Sequence, residues 1–422
     1  MVIEVSSGVD GGRPLAAAQS DDSAGLAVWG AFSGIGGLEL GLGRAGHHAV
    51  SLCEVWAPAQ DVLRDRFPGV PLIPDITEAT LPADVDLVAA GFPCTDLSLA
   101  GSRLGLDGPK SGLIKHVLNL VRDAAPDRVL LENVPNLLVT HRGSAMRFIV
   151  ETLEDAGYRW AYRTVDSRFT GVPQRRLRVI VLASRVDDPR HALLAGDTEE
   201  HVGVDVRASA YGFYWTEGRR GLGWTRNAIP TLKGGSTVGI PSQPAVWLPD
   251  REPGHRLVLP KISAGERLQG FPMGWTRAAA GKGKDHRWKL IGNAVTVGVA
   301  EWIGQQLTRP GIHAEAPASV LDRGRRWPSA GWGGAGETFA SAASAWPRAL
   351  PCLDLASVLT RGEVVPLSLR AACGFRSRLG QSGLVPNPDF ASALDMHIAR
   401  LAEAAATVTP VRARQAIGPV RS

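Results

Sequence analysis

From residue 26 onward, short apolar runs alternate with amphipathic segments of about a dozen residues. LAVWGAFS, HAVSLCEVW, VPLIPDI, VDLVAAGF and DRVLLENV read as strands. GLELGLGRAG, APAQDVLRDRF and SGLIKHVLNLVRDA fall between them with helical spacing, and SAMRFIVETLEDAG follows the last. VDLVAAGF has no polar alternation, which predicts burial on both faces of a sheet, and DRVLLENV reads as another buried strand. Strands alternating with helices form βαβ units, so the expected class is α/β with a doubly wound, mostly parallel sheet. RLRVIVLAS adds one more strand near residue 180.

The rhythm breaks after that. Residues 185–256 carry few helical periods but many Gly, Pro and Trp, as in YGFYWTEGRRGLGWTRNAIPTLKGG, and read as a separate loop-rich module. Periodicity returns in ISAGERLQGF, a short helix with Ser263 as its expected cap and Glu266 at the third position. VTVGVAEWIGQQL follows as a longer helix. The tail is rich in Ala, Ser, Pro and Arg, with helical segments near DLASVL, LSLRAACGFRSRL and ASALDMHIARLAEAAA. The expected division is a disordered leader (1–25), a catalytic and cofactor-binding domain (26–184), the loop-rich module (185–256), a return segment completing the first domain (257–310), and an extension of unknown role (311–422).

Composition narrows the function classes. The chain has 422 residues, 44% hydrophobic and 21% charged, enough to bury a real core. A net charge of +5 favours an anionic partner, although a solvated Lys/Arg face gives the same sum. The four cysteines form no CxxC pair or Cys/His cluster, which argues against structural zinc and a disulfide framework. No secretory signal is expected from the start of the chain, and no apolar stretch approaches membrane-spanning length. The expectation is a protein of a reducing compartment.

Chemistry-bearing residues gather at strand ends, where open α/β sheets bind ligands. FSGIGG (Phe32 to Gly37) lies between the first strand and its helix, so the backbone can approach a ligand and present helix amides to it. Glu54 ends the second strand, placed to accept ribose hydroxyls, and Asp75 ends the third, placed to accept from an adenine amino group. No Lys-Ser/Thr follows the loop, which excludes a P-loop but leaves NAD open. Cys94, in GFPCTDLS, stands past the end of a buried strand, where a thiolate can be displayed; a small buried filler is the competing reading. Glu132 ends the adjacent strand in ENV, where a carboxyl can share a proton with a ring nitrogen. In QRRLR, Gln174, Arg176 and Arg178 are expected on one face, able to meet a base carbonyl or phosphate, against a solvated edge cluster.

FSGIGG, PC, ENV, QRRLR, RLQGFP and GNAV, in that order, resemble the DNA (cytosine-5) methyltransferases of bacteria and phages, over roughly residues 26–307. The resemblance implies a Rossmann-like, S-adenosylmethionine-dependent fold with a smaller target-recognition domain at 185–256. It also implies that Phe32, Gly34, Gly36, Gly37, Glu54, Asp75, Ile76, Asn293 and Val295 bind the cofactor. Cys94 is then the nucleophile behind Pro93, Glu132 engages cytosine N3 and its amine, Arg178 lies near O2, and Arg176 supports it. Gln174, Arg219, Arg220, Arg226, Lys233, Lys282 and Lys284 complete the expected DNA-contacting set. Thr95 stands where many members have glutamine, and Val55-Trp56 displaces by one the aromatic after the ribose-binding acid.

The reading is therefore methyl transfer from S-adenosylmethionine to C5 of a flipped-out cytosine in double-stranded DNA, through a covalent Cys–C6 adduct. The enzyme is expected to be monomeric, cytoplasmic and nucleoid-associated, with a cognate restriction endonuclease as a further partner. Alternatives are a tRNA methyltransferase of the same lineage and an inactive DNA-binding homologue. A dehydrogenase accounts for the glycine loop but for neither PC nor QRRLR.

Overall fold

The computed structural model describes residues 25–93, 112–200, 210–217, 221–234, 243–281, 286–313, 319–384 and 386–407. The expected leader lies outside these residues, apart from Gly25. The first half of the chain follows β1 (Ala27–Ala31), α1 (Gly37–Arg44), β2 (His48–Cys53), α2 (Ala57–Arg66), β3 (Leu72–Ile73), β4 (Leu87–Gly91), α3 (Leu113–Ala124), β5 (Arg128–Asn133) and α4 (Ser144–Asp155). It continues with β6 (Arg159–Asp166), β7 (Gln174–Arg175), β8 (Leu177–Ser184) and α5 (Pro189–Leu193). Next come β9 (Tyr211–Phe213), β10 (Thr225–Arg226), β11 (Ile229–Pro230), β12 (Ala245–Trp247), β13 (Leu257–Pro260), α6 (Ile262–Leu268), α7 (Arg287–Asn293) and α8 (Val297–Thr308). The chain then forms β14 (Ser319–Val320), β15 (Ala330–Gly334), β16 (Glu337–Ala340), α9 (Leu355–Val358), β17 (Val364–Pro366), α10 (Leu369–Gly380) and α11 (Pro388–Thr407).

The main sheet has ten strands in the order β14-β16-β15-β6-β8-β5-β4-β1-β2-β3. From β3 to β5 every pairing is parallel. The chain winds outward from β1 through β2 to β3, then returns to place β4 and β5 on the other side. The crevice where the winding reverses lies at the carboxyl ends of β1 and β4, the usual ligand position in such a sheet. Apolar side chains of α3 and α4 pack on one face, and those of α1, α5 and α8 on the other. This is the doubly wound α/β fold expected from the sequence. Beyond β5 the pairings of β8, β6, β15, β16 and β14 are antiparallel.

The hydrophobic pattern gives no sign of β6. Its sequence RWAYRTVD puts a charge in mid-strand, yet Arg163 is fully buried. Its guanidinium donates to the carbonyls of Ser344 (2.7 Å), Gly196 (2.9 Å) and Leu193 (3.3 Å), and to the Asp197 carboxylate at 2.8 Å. An arginine satisfied in this way can occupy a core position that a pattern rule assigns to water.

Residues after 310, read from the sequence as an extension of unknown role, are built into both halves of the molecule. β15 pairs antiparallel with β6 from Ala330↔Arg163 to Gly333↔Trp160. Trp327 packs against Trp160 and Tyr162, and Arg323 grips the Glu154 carboxylate with both terminal nitrogens. In the second, five-stranded sheet, β10-β9-β12-β13-β17, the last strand also comes from this tail. Phe213, Trp247, Phe375 and Phe390 share one cluster there, with Tyr211 and Trp224 against it. The aromatic residues of the loop-rich module therefore form its core together with α10 and α11.

His47 ties the start of β1 to α8. Its Nδ1 accepts from the Leu26 N–H at 3.1 Å and its Nε2 donates to the Gly304 carbonyl at 3.0 Å. Burial lowers its pKa, against the opposing pull of the Gly304 carbonyl. Because the folded value is depressed, the unfolded chain takes up a proton first as pH falls, and stability drops below about pH 6.5. Thermal unfolding of the wild type should show this loss between pH 8 and pH 5, and the His47→Gln profile should lack that component.

Candidate active site

The glycine loop is shaped by backbone conformation. Phe32 (φ 54°), Gly34 (φ 57°) and Gly36 (φ 81°) all adopt positive φ, unusual for the phenylalanine. Gly36 caps α1 without a side chain, which leaves the first amides of the helix uncapped. Side chains are excluded by contact as well. A Cβ on Gly36 would come within 2.3 Å of the Phe67 ring, and one on Gly37 within 2.6 Å of the Val295 carbonyl oxygen. The GNAV segment is thereby held against the loop, with Val295 buried and Asn293 exposed at the end of α7.

Glu54 closes the next side of the crevice. Its carboxylate accepts from the N–H groups of Gly34 and Trp56, both at 2.8 Å, while its carbonyl accepts from Gln60 Nε2 at 2.6 Å. Burial raises its pKa, opposed by hydrogen bonds from Trp56, Gly34 and Val55. Asp75 uses one oxygen to cap the turn at Ile76–Glu78, accepting from the Thr77 amide (2.9 Å) and hydroxyl (2.8 Å), which lowers its pKa. Ile76 is buried behind it. Val55 is 73% exposed at the rim. The Trp56 ring packs instead against His286 at 5.4 Å and under the Lys289 ammonium at 4.7 Å.

At the carboxyl end of β4, the parallel register sets Gly91 beside Glu132 of β5. Pro93 is the last described residue of this stretch, and Cys94 itself lies outside the described residues, as does Thr95. Asn133, to which sequence reasoning gave no separate role, ties the end of β5 to Phe92. Its Nδ2 donates to the Phe92 carbonyl at 2.9 Å and its Oδ1 accepts from the Val134 N–H at 2.8 Å. Glu132 Oε1 lies 2.8 Å from Arg178 Nε, both side chains being nearly buried. Arg178 also donates to the Leu177 carbonyl at 2.7 Å.

QRRLR departs from its expected form. The strand breaks at Arg176, between β7 and β8. Gln174 was expected to contact DNA, but it is fully buried. Its Nε2 donates to the Leu268 carbonyl and to Gln269 Oε1, each at 2.9 Å, and its Oε1 accepts from the Leu232 N–H at 2.8 Å. Arg176 is buried as well, donating to the carbonyls of Leu232 (3.0 Å), Gly292 (3.2 Å) and Ala294 (2.8 Å). Burial holds its pKa well below the usual arginine range, with Arg178 adding to the effect. These two residues join the main sheet to the loop-rich segment and to GNAV; Arg178 alone of the three pairs with Glu132.

Gln269, within the RLQGFP motif, extends this network. It donates to the Ile291 carbonyl at 2.9 Å and accepts from the Thr296 hydroxyl at 2.8 Å. The expected cap at Ser263 is also corrected, because α6 starts at Ile262 with Lys261 as its cap residue. Ser263 Oγ donates instead to Glu363 Oε1 at 3.1 Å. Glu266 is buried, accepting from the Thr276 amide (2.8 Å) and hydroxyl (2.6 Å) and from Arg287 (3.2 Å). The short helix needed an anchoring acid rather than a capping box.

Among the remaining expected DNA contacts, Arg226 is exposed on β10. Lys233 pairs with Glu217 and sits 3.8 Å over the Tyr214 ring. Arg219, Arg220, Lys282 and Lys284 lie outside the described residues. No helix among the described residues is long and apolar enough to cross a membrane, and no group of three or more metal-binding side chains occurs among them.

Residues 27–208 match the model of the C-5 cytosine-specific DNA methylases. The chain is 44% identical over 361 residues to the Type II methyltransferase M2.BsuMI of Bacillus subtilis (strain 168), covering 82% of this chain and 91% of that one. It belongs to the C-5 cytosine-specific DNA methylases. A second relative of this DNA methylase is the Type II methyltransferase M.MspI of Moraxella sp, 29% identical over 66% of this chain and 69% of that one. The fold is shared with the S. pombe Dnmt2 methyltransferase, at a TM-score of 0.51 and 18% identity, covering 67% of this chain and 98% of that one. The methylase is thus a DNA (cytosine-5-)-methyltransferase related to Type II restriction-modification enzymes.

Proposed function

We propose that this methylase transfers a methyl group from S-adenosylmethionine to C5 of a cytosine swung out of double-stranded DNA, with Cys94 forming a transient bond to C6. The observation that carries the reading is the strand-end register: Gly91 stands beside Glu132, and Glu132 is held by Arg178, just before Pro93-Cys94. The residues at the glycine loop fit the cofactor. Gly36 leaves the first amides of α1 uncapped, and Glu54 offers a carboxylate at the distance along the chain suited to ribose hydroxyls. Phe32, Gly34, Asp75, Ile76, Asn293 and Val295 complete the proposed cofactor set.

When bound, S-adenosylmethionine supplies a methyl group activated by its sulfonium. The chain's own groups prepare the base. Addition of the Cys94 thiolate to C6 moves electron density to C5, which is otherwise a weak nucleophile. Glu132 stabilises the charge that develops at N3, and Arg178 both orients Glu132 and reaches O2. Departure of the C5 proton, followed by expulsion of the sulfur, restores the aromatic ring. Arg176 acts through Arg178 and GNAV as a positioning residue. Extruding the base costs a few kcal/mol. The proposed opposing surface is the loop-rich module, with Arg219, Arg220, Arg226 and Lys233 meeting phosphates or guanine edges, joined by Lys282 and Lys284 of the return segment at phosphates.

Incubation with labelled S-adenosylmethionine and either duplex DNA or tRNA tests the substrate. Label is expected in DNA cytosine, whereas label confined to tRNA would sink the DNA reading. Duplex containing 5-fluorocytosine tests activity separately, because an active enzyme cannot eliminate fluorine and stays attached. An inactive DNA-binding homologue gives no adduct and no label. The proposed setting is a monomeric cytoplasmic enzyme at the nucleoid, alongside a restriction endonuclease of the same specificity.

A further inference from the structure

Glu39 lies on α1, two residues beyond Gly37 of the loop, and its side chain turns inward against the end of β1. A Cβ on Gly30 would stand 2.2 Å from Glu39 Oε1 and 2.8 Å from Ser33 Oγ, so the carboxyl and the hydroxyl converge on one bare stretch of backbone. Glu39 is 4% exposed and Ser33 is 7% exposed. Neither carboxyl oxygen of Glu39 completes a well-formed hydrogen bond, and neither does Ser33 Oγ; the donors near the carboxyl, the Ser33 hydroxyl and the Glu39 N–H, are both neutral. A carboxylate held out of water without a charged partner is strongly disfavoured, and with a buried hydroxyl beside it such a group marks a place for a hydrogen-bond donor carrying positive charge.

Among the described residues, no cationic side chain completes a hydrogen bond to this carboxyl. Arg44, on the last turn of α1, lies 3.6 Å from Glu301 of α8. His47 is committed to Leu26 and Gly304. Arg178 is held at Glu132. The charged neighbour acting on Glu39 is Glu54, another acid. A metal ion is not indicated, since no group of three metal-binding side chains occurs among the described residues.

We propose that Glu39, assisted by Ser33, receives the ammonium of the cofactor's amino-acid end, directly or through one water. The inference rests on the reading of the glycine loop as the S-adenosylmethionine site. Gly34 donates to Glu54 and Ser33 precedes it on the same loop, so with the ribose at Glu54 the proposal directs the amino-acid end toward Ser33 and Glu39. An ammonium can donate to both orphans, whereas a sulfonium has no hydrogen to give.

Proton linkage follows from the same geometry. Burial raises the Glu39 pKa to about 7, reinforced by Glu54 and opposed by the nearby Glu39 N–H and Ser33 hydroxyl. In the free protein the carboxyl is protonated below that pH. Binding a cation requires the ionised form, so affinity increases as pH rises through 7.

Calorimetric titration of the full chain at pH 6 and pH 8 tests this with two ligands. S-adenosylhomocysteine keeps the ammonium and lacks the sulfonium, while 5′-methylthioadenosine lacks both. Wild-type affinity for S-adenosylhomocysteine should rise about tenfold from pH 6 to pH 8, and that for methylthioadenosine should not change. Glu39→Gln should bind S-adenosylhomocysteine roughly tenfold more weakly at pH 8, with no pH slope. A pH-independent wild type, or the same slope for methylthioadenosine, overturns the ammonium assignment even if the variant fails to fold. Failure of the wild type to bind either ligand overturns the cofactor reading, and this inference with it.

Discussion

Cys94→Ala should lose methyl transfer by roughly 10³-fold or more and form no covalent complex with 5-fluorocytosine duplex, while still binding cofactor. Without sulfur addition at C6, the C5 carbon keeps its aromatic electron density and has little tendency to attack a methyl group. The other thiols offer no ready substitute. Cys53 is buried with its pKa pushed up to about 12, and burial raises Cys352 to about 11. Cys373 is exposed, but it lies on α10, outside the catalytic sheet. Single-turnover transfer with labelled cofactor, together with gel analysis of the trapped complex, reads both effects. Wild-type rates in Cys94→Ala, or an adduct that maps to Cys373, would remove the proposed mechanism.

The second large effect concerns stability. Arg176→Met should destabilise the fold by roughly 3–5 kcal/mol, seen as a lower urea midpoint. The guanidinium serves carbonyls on two separate segments, Leu232 and Gly292–Ala294, and methionine leaves all of them buried without that donor. Arg176→Lys should recover little, because a single ammonium on a flexible stem cannot span the same fork. The neighbouring pair provides the contrast. Arg178 touches Glu132 and bridges no separate segments, so Arg178→Met should impair transfer more than stability. If Arg176→Met unfolds within about 1 kcal/mol of the wild type, the clamp is not what holds these segments together.

Much of this was legible in the chain because the parallel half of the sheet is built from uninterrupted apolar runs. β4 and β5 read correctly for that reason, and their register then brought Gly91 and Glu132 side by side. β6 was invisible because Arg163 interrupts it, and only the bonding of that side chain explains a charge in the interior. β15 was hidden by its composition, since AGWGG has too few side chains to show alternation. At the proposed site, spacing put Glu54 and Glu132 at strand ends, and the fold has Glu54 directly after β2 and Glu132 near the end of β5, but no pattern distinguishes a buried arginine from one paired with Glu132. Gln174, Arg176 and Arg178 alternate in sequence as expected, yet the break at Arg176 and the carbonyls around it decide their roles. Glu39 reads in sequence as one more polar position on an amphipathic helix; its isolation is visible only once Gly30 lies against it.

With the loop-rich module as the proposed reader of the DNA site, the tail helices carry a consequence for how specificity can change. Phe375 and Phe390 interlock with Phe213, while β17 extends the sheet that contains β9 and β12. The stretch between QRRLR and RLQGFP is therefore not a free cassette. Exchanging it alone between relatives would expose half of a hydrophobic seam, so a working chimera has to import two distant pieces of the gene together.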